Sequence, residues 1–294
     1  MSTRHLPEFD YFEPKTLEEA IELLSKYGND AKVLAGGTDL LVDMRLQEMA
    51  PKKVVNIQRI PNLNYIKPDE EGVKIGALTT IRELETSMLL KKGAYIVLAE
   101  AAHKMGSIQI RNMATIGGNI CHALPSADTP PALVALDARV KIIGPTGERV
   151  VPLEEIFVNV GKTALTSGEL LTEIQVRNPP AHSGTAFFKI GRTAMDLAIV
   201  NVAVRITLLN KVCKETRIVI GGGVGPTLIR SKRAEALLNG KKMEEAIIEK
   251  AAQVASEELK PRPTSIRGSP FYKVEVSKVL VRRALKKALD RVGG

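Results

Sequence analysis

The chain has 294 residues, a formal net charge of +9, 44% hydrophobic residues and 26% charged residues. At about 100–200 residues per domain, this length predicts two domains or three small ones. The composition excludes disordered, collagen-like and disulfide-dense proteins. No apolar run reaches the roughly 20 residues that cross a bilayer, so the sequence predicts no membrane insertion.

The two cysteines, Cys121 and Cys213, lie in apolar stretches, where we expect buried thiols rather than a disulfide bond. Residues 1–14 mix charges and prolines and show no signal-peptide pattern. Together these features predict a cytoplasmic protein. Because an iron–sulfur cluster normally takes four cysteines, we expect none on this chain.

The positive charge is spread along the chain and is densest near the end of the last predicted helix, at Arg282, Arg283, Lys286, Lys287 and Arg291. Aromatic residues make up only 4% of the sequence and there is no tryptophan, so stacking partners for bases are scarce. This pattern favours a solvated basic surface, or a face for an acidic partner, over nucleic-acid binding.

The first predicted unit, residues 1–60, is small and mixed. Thr16 and Glu19 have capping-box spacing, and apolar residues recur at helical spacing up to Tyr27, so we expect a helix over 16–27. Short apolar runs predict strands at 33–35 and 54–57.

Two further units follow, at 61–178 and 179–294, divided by Asn178-Pro179-Pro180. In the second unit we expect strands at 73–77, 139–143 and 169–176, and helices at 80–90, 93–105 and 129–137. In the third we expect a three-stranded antiparallel sheet from 185–190, 198–209 and 216–220, with helices at 232–238, 243–259 and 272–291. The predicted fold class is therefore α+β.

Two glycine pairs carry the strongest chemical signal, within Ala35–Leu40 and Thr115–Ile120. Glycine adopts positive φ readily, so each pair can turn successive N–H groups toward an anion such as a phosphate. Thr38 and Thr115 add hydroxyl donors, and two such nests could hold both halves of a pyrophosphate. The alternative, two ordinary tight turns, stays open.

Competing site motifs are incomplete. No G-x-G-x-x-G follows a strand, and the Gly161-Lys162-Thr163 segment lacks the P-loop glycine because position 156 is Ile. The four histidines are scattered without metal-ligand spacing, so no metal site is predicted. His122 follows the second glycine pair and either approaches a ligand or is an ordinary surface histidine. These exclusions favour a bound organic cofactor over metal or hydrolytic chemistry.

Four segments together resemble the FAD-binding medium subunit of the molybdenum hydroxylase family, which includes carbon monoxide dehydrogenase, xanthine dehydrogenase and aldehyde oxidoreductases. They are residues 35–41 (AGGTDLL), 111–137, 187–198 and 267–273, and the resemblance covers nearly the whole chain. It implies a two-part FAD-binding domain of vanillyl-alcohol-oxidase (PCMH) type. A C-terminal domain with a three-stranded antiparallel sheet and helices follows.

The resemblance also implies a set of FAD-binding positions and no catalytic residue. In this family the backbone of 35–40 and 115–119 holds the pyrophosphate, and Asp128 contacts the cofactor on the ribose or adenosine side. Lys189 corresponds to a lysine near the isoalloxazine, whereas Leu197 replaces an aromatic residue that stacks on the flavin in some relatives. The implied positions are Leu34, Ala35, Gly36, Gly37, Thr38, Asp39, Leu40, Ile108, Thr115, Ile116, Gly117, Gly118, Asn119, Ser126, Asp128, Leu170 and Lys189.

Such a subunit works within a larger enzyme. The resemblance implies a molybdopterin-binding large subunit and a small subunit with 2Fe–2S clusters, assembled as a dimer of heterotrimers. Electrons would reach FAD from the clusters and leave to an external acceptor. Two alternatives stay open: a stand-alone FAD-dependent reductase of the UDP-N-acetylenolpyruvoylglucosamine reductase type, and a non-enzymatic basic protein that binds nucleic acid.

Overall fold

A computed structural model describes residues 5–292 and contains three main sheets and one short hairpin. Each main sheet takes its strands from one continuous stretch of chain, at 10–56, 66–177 and 183–230. This distribution supports the division at residues 60 and 178, which stays a prediction. Within residues 5–292, no helix is both long and apolar enough to cross a lipid bilayer.

The first lobe, residues 10–57, has a three-stranded parallel sheet and two helices. The strands are β1 (Asp10–Phe12), β2 (Ala31–Leu34) and β3 (Lys53–Asn56), in the order β1-β3-β2. The helices are α1 (Leu17–Tyr27) and α2 (Leu40–Leu46). The predicted first helix is confirmed, since the Thr16 side chain accepts a hydrogen bond from the Glu19 amide where α1 begins. Both predicted strands are present, shifted by one or two residues.

The second lobe, residues 66–177, is built on an antiparallel sheet of five strands. They are β4 (Ile66–Asp69), β5 (Gly72–Gly76), β6 (Arg139–Gly144), β7 (Gly147–Pro152) and β10 (Leu170–Arg177), in the order β4-β5-β10-β6-β7. A hairpin of β8 (Phe157–Asn159) and β9 (Lys162–Thr163) lies between β7 and β10 in sequence. The three predicted strands are the central ones, whereas both edge strands lie outside the predicted elements.

Five short helices accompany this sheet. They are α3 (Ile81–Thr86), α4 (Ile96–His103), α5 (Ile108–Met113), α6 (Ile116–Cys121) and α7 (Thr129–Ala135). The helix predicted at 80–90 is too long, because the backbone leaves the helical region at Ser87 (ψ 120°). The helix predicted at 93–105 is divided, since Gly93 has φ +50° and Gly93–Tyr95 forms a 3-10 turn before α4.

The C-terminal domain has a sheet of four antiparallel strands, and the expected number of three is wrong. The strands are β11 (Ser183–Ile190), β12 (Val200–Leu209), β13 (Val212–Gly221) and β14 (Ile229–Arg230) in that spatial order. The fourth strand pairs only two residues with Val219 and Ile220, which is too short to produce an alternating pattern. The helices are α8 (Lys232–Leu238), α9 (Glu245–Glu257) and α10 (Pro270–Asp290).

The sheet of the C-terminal domain is buried on both faces. From β12, Val202 and Val204 pack into the core that α8, α9 and α10 cover. From the opposite face, Ala203 joins the core of the second lobe, together with Phe187 and Val219. Because the period of a strand is two residues, one strand supplies both cores. The second lobe and the C-terminal domain therefore share apolar packing across this sheet.

Candidate cofactor-binding site

A cleft of about 630 Å³ lies between the first and second lobes. Its walls include the loop after β2, the beginning of α2, residues 114–122 and residues 163–171. Ligand sites commonly have volumes of about 300–1,000 Å³. The predicted site residues that line the cleft are Ala35, Gly36, Gly37, Thr38, Asp39, Leu40, Thr115, Gly117, Gly118, Asn119 and Leu170.

The first glycine segment presents unpaired backbone donors to this cleft. Within residues 5–292, the N–H groups of Gly36, Gly37, Thr38 and Asp39 donate to no protein acceptor. Gly37 has φ +73°, a conformation that glycine adopts without steric cost. Backbone donors that are partly removed from water need an acceptor, and consecutive amides in a turn suit an anion. The segment therefore has the chemistry of a phosphate-binding loop.

The second glycine segment differs from the expected nest. Thr115 caps α6 and its hydroxyl oxygen accepts the Gly118 amide at 3.1 Å, while the Gly117 amide donates to the Ala77 carbonyl at 2.9 Å. Neither glycine has positive φ, because both lie in the first turn of the helix. The prediction of a second nest with positive φ is therefore wrong. The segment lines the cleft as a capped helical turn.

Each glycine segment packs closely against neighbouring backbone, and the first meets the residues directly before the second. A Cβ built on Gly36 would collide with the Met113 carbonyl oxygen and lie 2.7 Å from its carbonyl carbon. A Cβ on Gly117 would lie 2.8 Å from the Ala77 side chain. Glycine at 36 thus lets the loop of the first lobe pack against the backbone that leads into the second segment. Glycine is required at position 36 because it has no side chain, and not because of its backbone conformation.

Three ionisable side chains meet across the cleft, Asp39 and Asp43 from the first lobe and His122 from the second. His122 Nε2 lies 3.2 Å from Asp43 Oδ2, and His122 Nδ1 lies 3.5 Å from Asp39 Oδ2. Burial raises the pKa of Asp39, His122 opposes this shift, and Asp43 adds to it. In the described part of the chain, no group of three or more His, Cys, Asp or Glu side chains is arranged to hold a metal ion.

A buried ion pair joins the second lobe to the C-terminal domain. Lys189 Nζ lies 2.6 Å from Asp128 Oδ2 and also donates to the Lys104 carbonyl at 2.9 Å. Asn201 Nδ2 donates to the other Asp128 oxygen at 3.0 Å. Burial raises the pKa of Asp128, and the ammonium and the amide oppose this shift. Neither Asp128 nor Lys189 is among the residues that line the cleft.

Comparison with known proteins decides between the remaining interpretations. Residues 7–179 match the model of the FAD binding domain in molybdopterin dehydrogenase, and residues 185–288 match that of the CO dehydrogenase flavoprotein C-terminal domain. The first match alone covers more than half of the chain. The chain belongs to the family of FAD-binding medium subunits of molybdenum hydroxylases. FAD is the cofactor of this family, and the chain is an oxidoreductase subunit.

Individual relatives match nearly the whole length of this chain. The chain is 38% identical to the 6-hydroxypseudooxynicotine dehydrogenase complex subunit alpha of Paenarthrobacter nicotinovorans, over 97% of this chain and 96% of the relative. It is 34% identical to the carbon monoxide dehydrogenase medium chain of Hydrogenophaga pseudoflava, over 97% and 98%. The solved carbon monoxide dehydrogenase from that organism superimposes with a TM-score of 0.95 at 35% identity, covering 98% of this chain and 100% of the other.

The cleft fits the cofactor of the family. Free amides at Gly36–Asp39 suit a diphosphate, and the absence of a side chain at Gly36 permits the close approach of the two lobes. Sequence patterns do not single out the wall at 163–169, which also lines the cleft. The one signal in the sequence for that wall is the glycine at position 168. In the structure Gly168 has a φ of +84° in a turn beside β10.

The other predicted FAD-binding residues lie away from the cleft lining. Leu34 ends β2 directly before the loop, and Ile116 is completely buried in the core of the second lobe. Ile108 is 52% exposed on α5, and Ser126 is half-buried before α7. Their contact with FAD stays a prediction. The two cysteines are free thiols, but only Cys213 is fully buried, whereas Cys121 lines the cleft.

Proposed function

We propose that this chain holds one FAD in the cleft between its lobes and passes electrons from a partner subunit to an external acceptor. The observation that carries the proposal is the run of unpaired amides at Gly36–Asp39, which faces the cleft of a chain that matches FAD-binding subunits along its whole length. These amides would bind the diphosphate bridge. Bound FAD would supply the exchange of electrons, one or two at a time.

The remaining residues act by positioning. Leu170 and the capped turn at Thr115–Asn119 line the cleft and would support the dinucleotide by packing. Lys189, which is paired with Asp128 and does not line the cleft, would lie near the flavin ring as the family resemblance implies, where a cation favours the reduced form. Asp128 holds that ammonium in place, and Asn201 donates to the other oxygen of Asp128. No residue is assigned a proton-transfer step.

The proposed partners are a molybdopterin-binding large subunit and a small subunit with 2Fe–2S clusters, assembled as a dimer of heterotrimers in the cytoplasm. Several relatives are named as medium chains or subunits of dehydrogenases or of a hydroxylase, which supports a multi-subunit enzyme. The two cysteines of this chain are too few for a cluster with four cysteine ligands. The clusters would therefore lie on another chain.

The match along the whole chain favours this function over a stand-alone reductase and over a nucleic-acid-binding protein. The test is to express the chain alone and together with the proteins that copurify with it. We expect the isolated chain to be yellow and to release FAD on denaturation. It should not oxidise aldehydes, purines or carbon monoxide, whereas the complex should oxidise one such substrate. Turnover by the verified single chain, or a colourless chain that cannot take up FAD, would contradict the proposal.

A further inference from the structure

The cleft has an unexpected charge balance for a site that binds a diphosphate. Its acidic, basic and histidine lining residues are Lys32, Asp39, Asp43, Glu48, His122 and Glu169. Glu169 is neutralised by the guanidinium of Arg149 at 2.7 Å. The remaining carboxylates outnumber the single ammonium, and a carboxylate repels an anionic ligand in a partly desolvated cleft more strongly than in water. A further positive charge is needed beside the amides.

His122 is placed to supply that charge. It follows α6 in the second lobe, while Asp39 and Asp43 belong to the beginning of α2 in the first lobe. Each ring nitrogen faces a different carboxylate, at 3.2 Å and 3.5 Å. Nε2 is hydrogen-bonded to Asp43, and Nδ1 lies at ion-pair distance from Asp39. A protonated ring at this place would set one positive charge between the two carboxylates.

Building on the FAD site proposed above, we infer that His122 is a positioning residue whose positive charge offsets part of the negative charge of Asp39 and Asp43 and so admits the diphosphate to the amides of Gly36–Asp39. As a charged bridge between α2 and α6, it also holds the two walls of the cleft at a fixed separation. The other charged side chains on these walls are Lys32 and Glu48 in the first lobe and Glu169 in the second, and Glu169 is paired with Arg149.

The neighbouring carboxylate supports this role. Burial raises the pKa of Asp39, so an ionised Asp39 is costly where it stands, and Asp43 increases that cost. An anionic ligand beside both carboxylates would add to the repulsion. One positive charge on His122 would stabilise both the ionised carboxylates and the anionic ligand. If His122 served packing alone, the effect of replacing it on FAD binding would not depend on the charge of Asp43.

The experiment measures the Kd of FAD by flavin fluorescence on the full chain stripped of flavin. We expect His122→Gln, which keeps a hydrogen-bond donor but removes the charge, to raise the Kd about tenfold, or about 1.4 kcal/mol. The matched control is His182→Asn. His182 is exposed in the turn before β11, has a φ of +59° that asparagine accepts, and does not line the cleft. Its Kd should equal that of the wild type.

Charge rescue separates this role from packing. Asp43→Asn added to His122→Gln should restore the Kd to within about threefold of the wild type, and Asp43→Asn alone should bind FAD at least as tightly as the wild type.

Three results would overturn the inference: an unchanged Kd in His122→Gln, a weakened Kd that Asp43→Asn does not rescue, or weaker binding by Asp43→Asn alone. The last measurement does not depend on whether the histidine variant folds. Failure of the wild-type chain to bind FAD would instead overturn the proposed function itself. The two failures are therefore distinguishable.

Discussion

Lys189 Nζ and Asp128 Oδ2 lie 2.6 Å apart, and their side chains are only 5% and 3% exposed. Asp128 precedes α7 in the second lobe and Lys189 lies in β11, so this pair crosses the boundary between two parts of the chain. Removing one partner of a buried pair leaves an uncompensated charge. The pair therefore makes the attachment of the C-terminal domain sensitive to a single substitution.

We expect Lys189→Met to lower the free energy of unfolding by about 3–5 kcal/mol, because Asp128 then stays buried without its cation. Denaturant unfolding followed by circular dichroism measures this change. The double variant Lys189→Met/Asp128→Asn should lose clearly less, since asparagine carries no charge and can still bond Asn201. Equal losses in the single and double variants would show that the ion pair is not the cause.

Gly36→Ala tests the contact between the first glycine segment and the backbone of Met113. We expect the Kd of FAD to rise at least tenfold and the free energy of unfolding to fall by about 1–3 kcal/mol, because the new methyl group meets the Met113 backbone. Fluorescence titration and thermal unfolding measure the two effects. Gly240→Asn is the control, since position 240 has open space and a φ of +75° that asparagine tolerates. Unchanged FAD binding by Gly36→Ala would contradict the close packing.

Acid should weaken the fold through Glu169. The hydrogen bonds from Arg149 lower the pKa of Glu169 from 4.5 to about 2, against the opposing effect of burial. A pKa lowered by folding contributes stability that is complete above pH 4.5 and is lost as the pH falls towards about 2. We expect Glu169→Gln to lower the stability at pH 7 by about 1 kcal/mol, a value reduced by solvent screening, and to flatten the acid limb.

Urea unfolding between pH 2 and pH 7 measures this dependence. Glu148→Gln is the control, because Glu148 is a carboxylate that is 60% exposed and pairs with Lys141 at the surface. Its pH profile should follow that of the wild type. If Glu169→Gln also retained the full acid limb, the Arg149 pair would not contribute to it.

The arginine directly after α10 should contribute more to stability than an arginine in the middle of that helix. Arg291 binds both oxygens of Glu100 in α4 and the Thr185 carbonyl in β11. Arg282, within α10, pairs with Glu249 where both side chains are exposed. We expect Arg291→Ala to lower the free energy of unfolding by about 1–3 kcal/mol and Arg282→Ala by less than about 1 kcal/mol. Similar midpoints in thermal unfolding for both variants would contradict this ranking.

Local sequence signals predict the first lobe well and the connections poorly. The Thr16 cap, the helix that follows and the glycine loop at 35–40 are all local features, and the structure has them where the patterns indicate. The edge strands are harder. β4 contains Pro68, and β7 has no fully buried residue, so neither shows the alternation that identifies a half-buried strand.

The electrostatic partners could not be predicted from spacing. Lys189 and Asp128 are 61 residues apart, and His122 and Asp43 are 79 residues apart, so only the fold brings them together. The second glycine pair shows the opposite failure. Its sequence permits a nest, but the Thr115 cap on α6 stabilises a helix there instead. The ion pairs depend on contacts beyond the reach of a short motif, whereas the Thr115 cap lies within the motif and competes with the nest.

The atoms that exclude a side chain at position 36 are the carbonyl carbon and oxygen of Met113 and the Cα of Ala114, all of which belong to the main chain. Every amino acid carries these atoms. A genetic screen for suppressors of Gly36→Ala should therefore recover no compensating replacement at 113 or 114. It should recover changes that displace the α5–α6 connection as a whole.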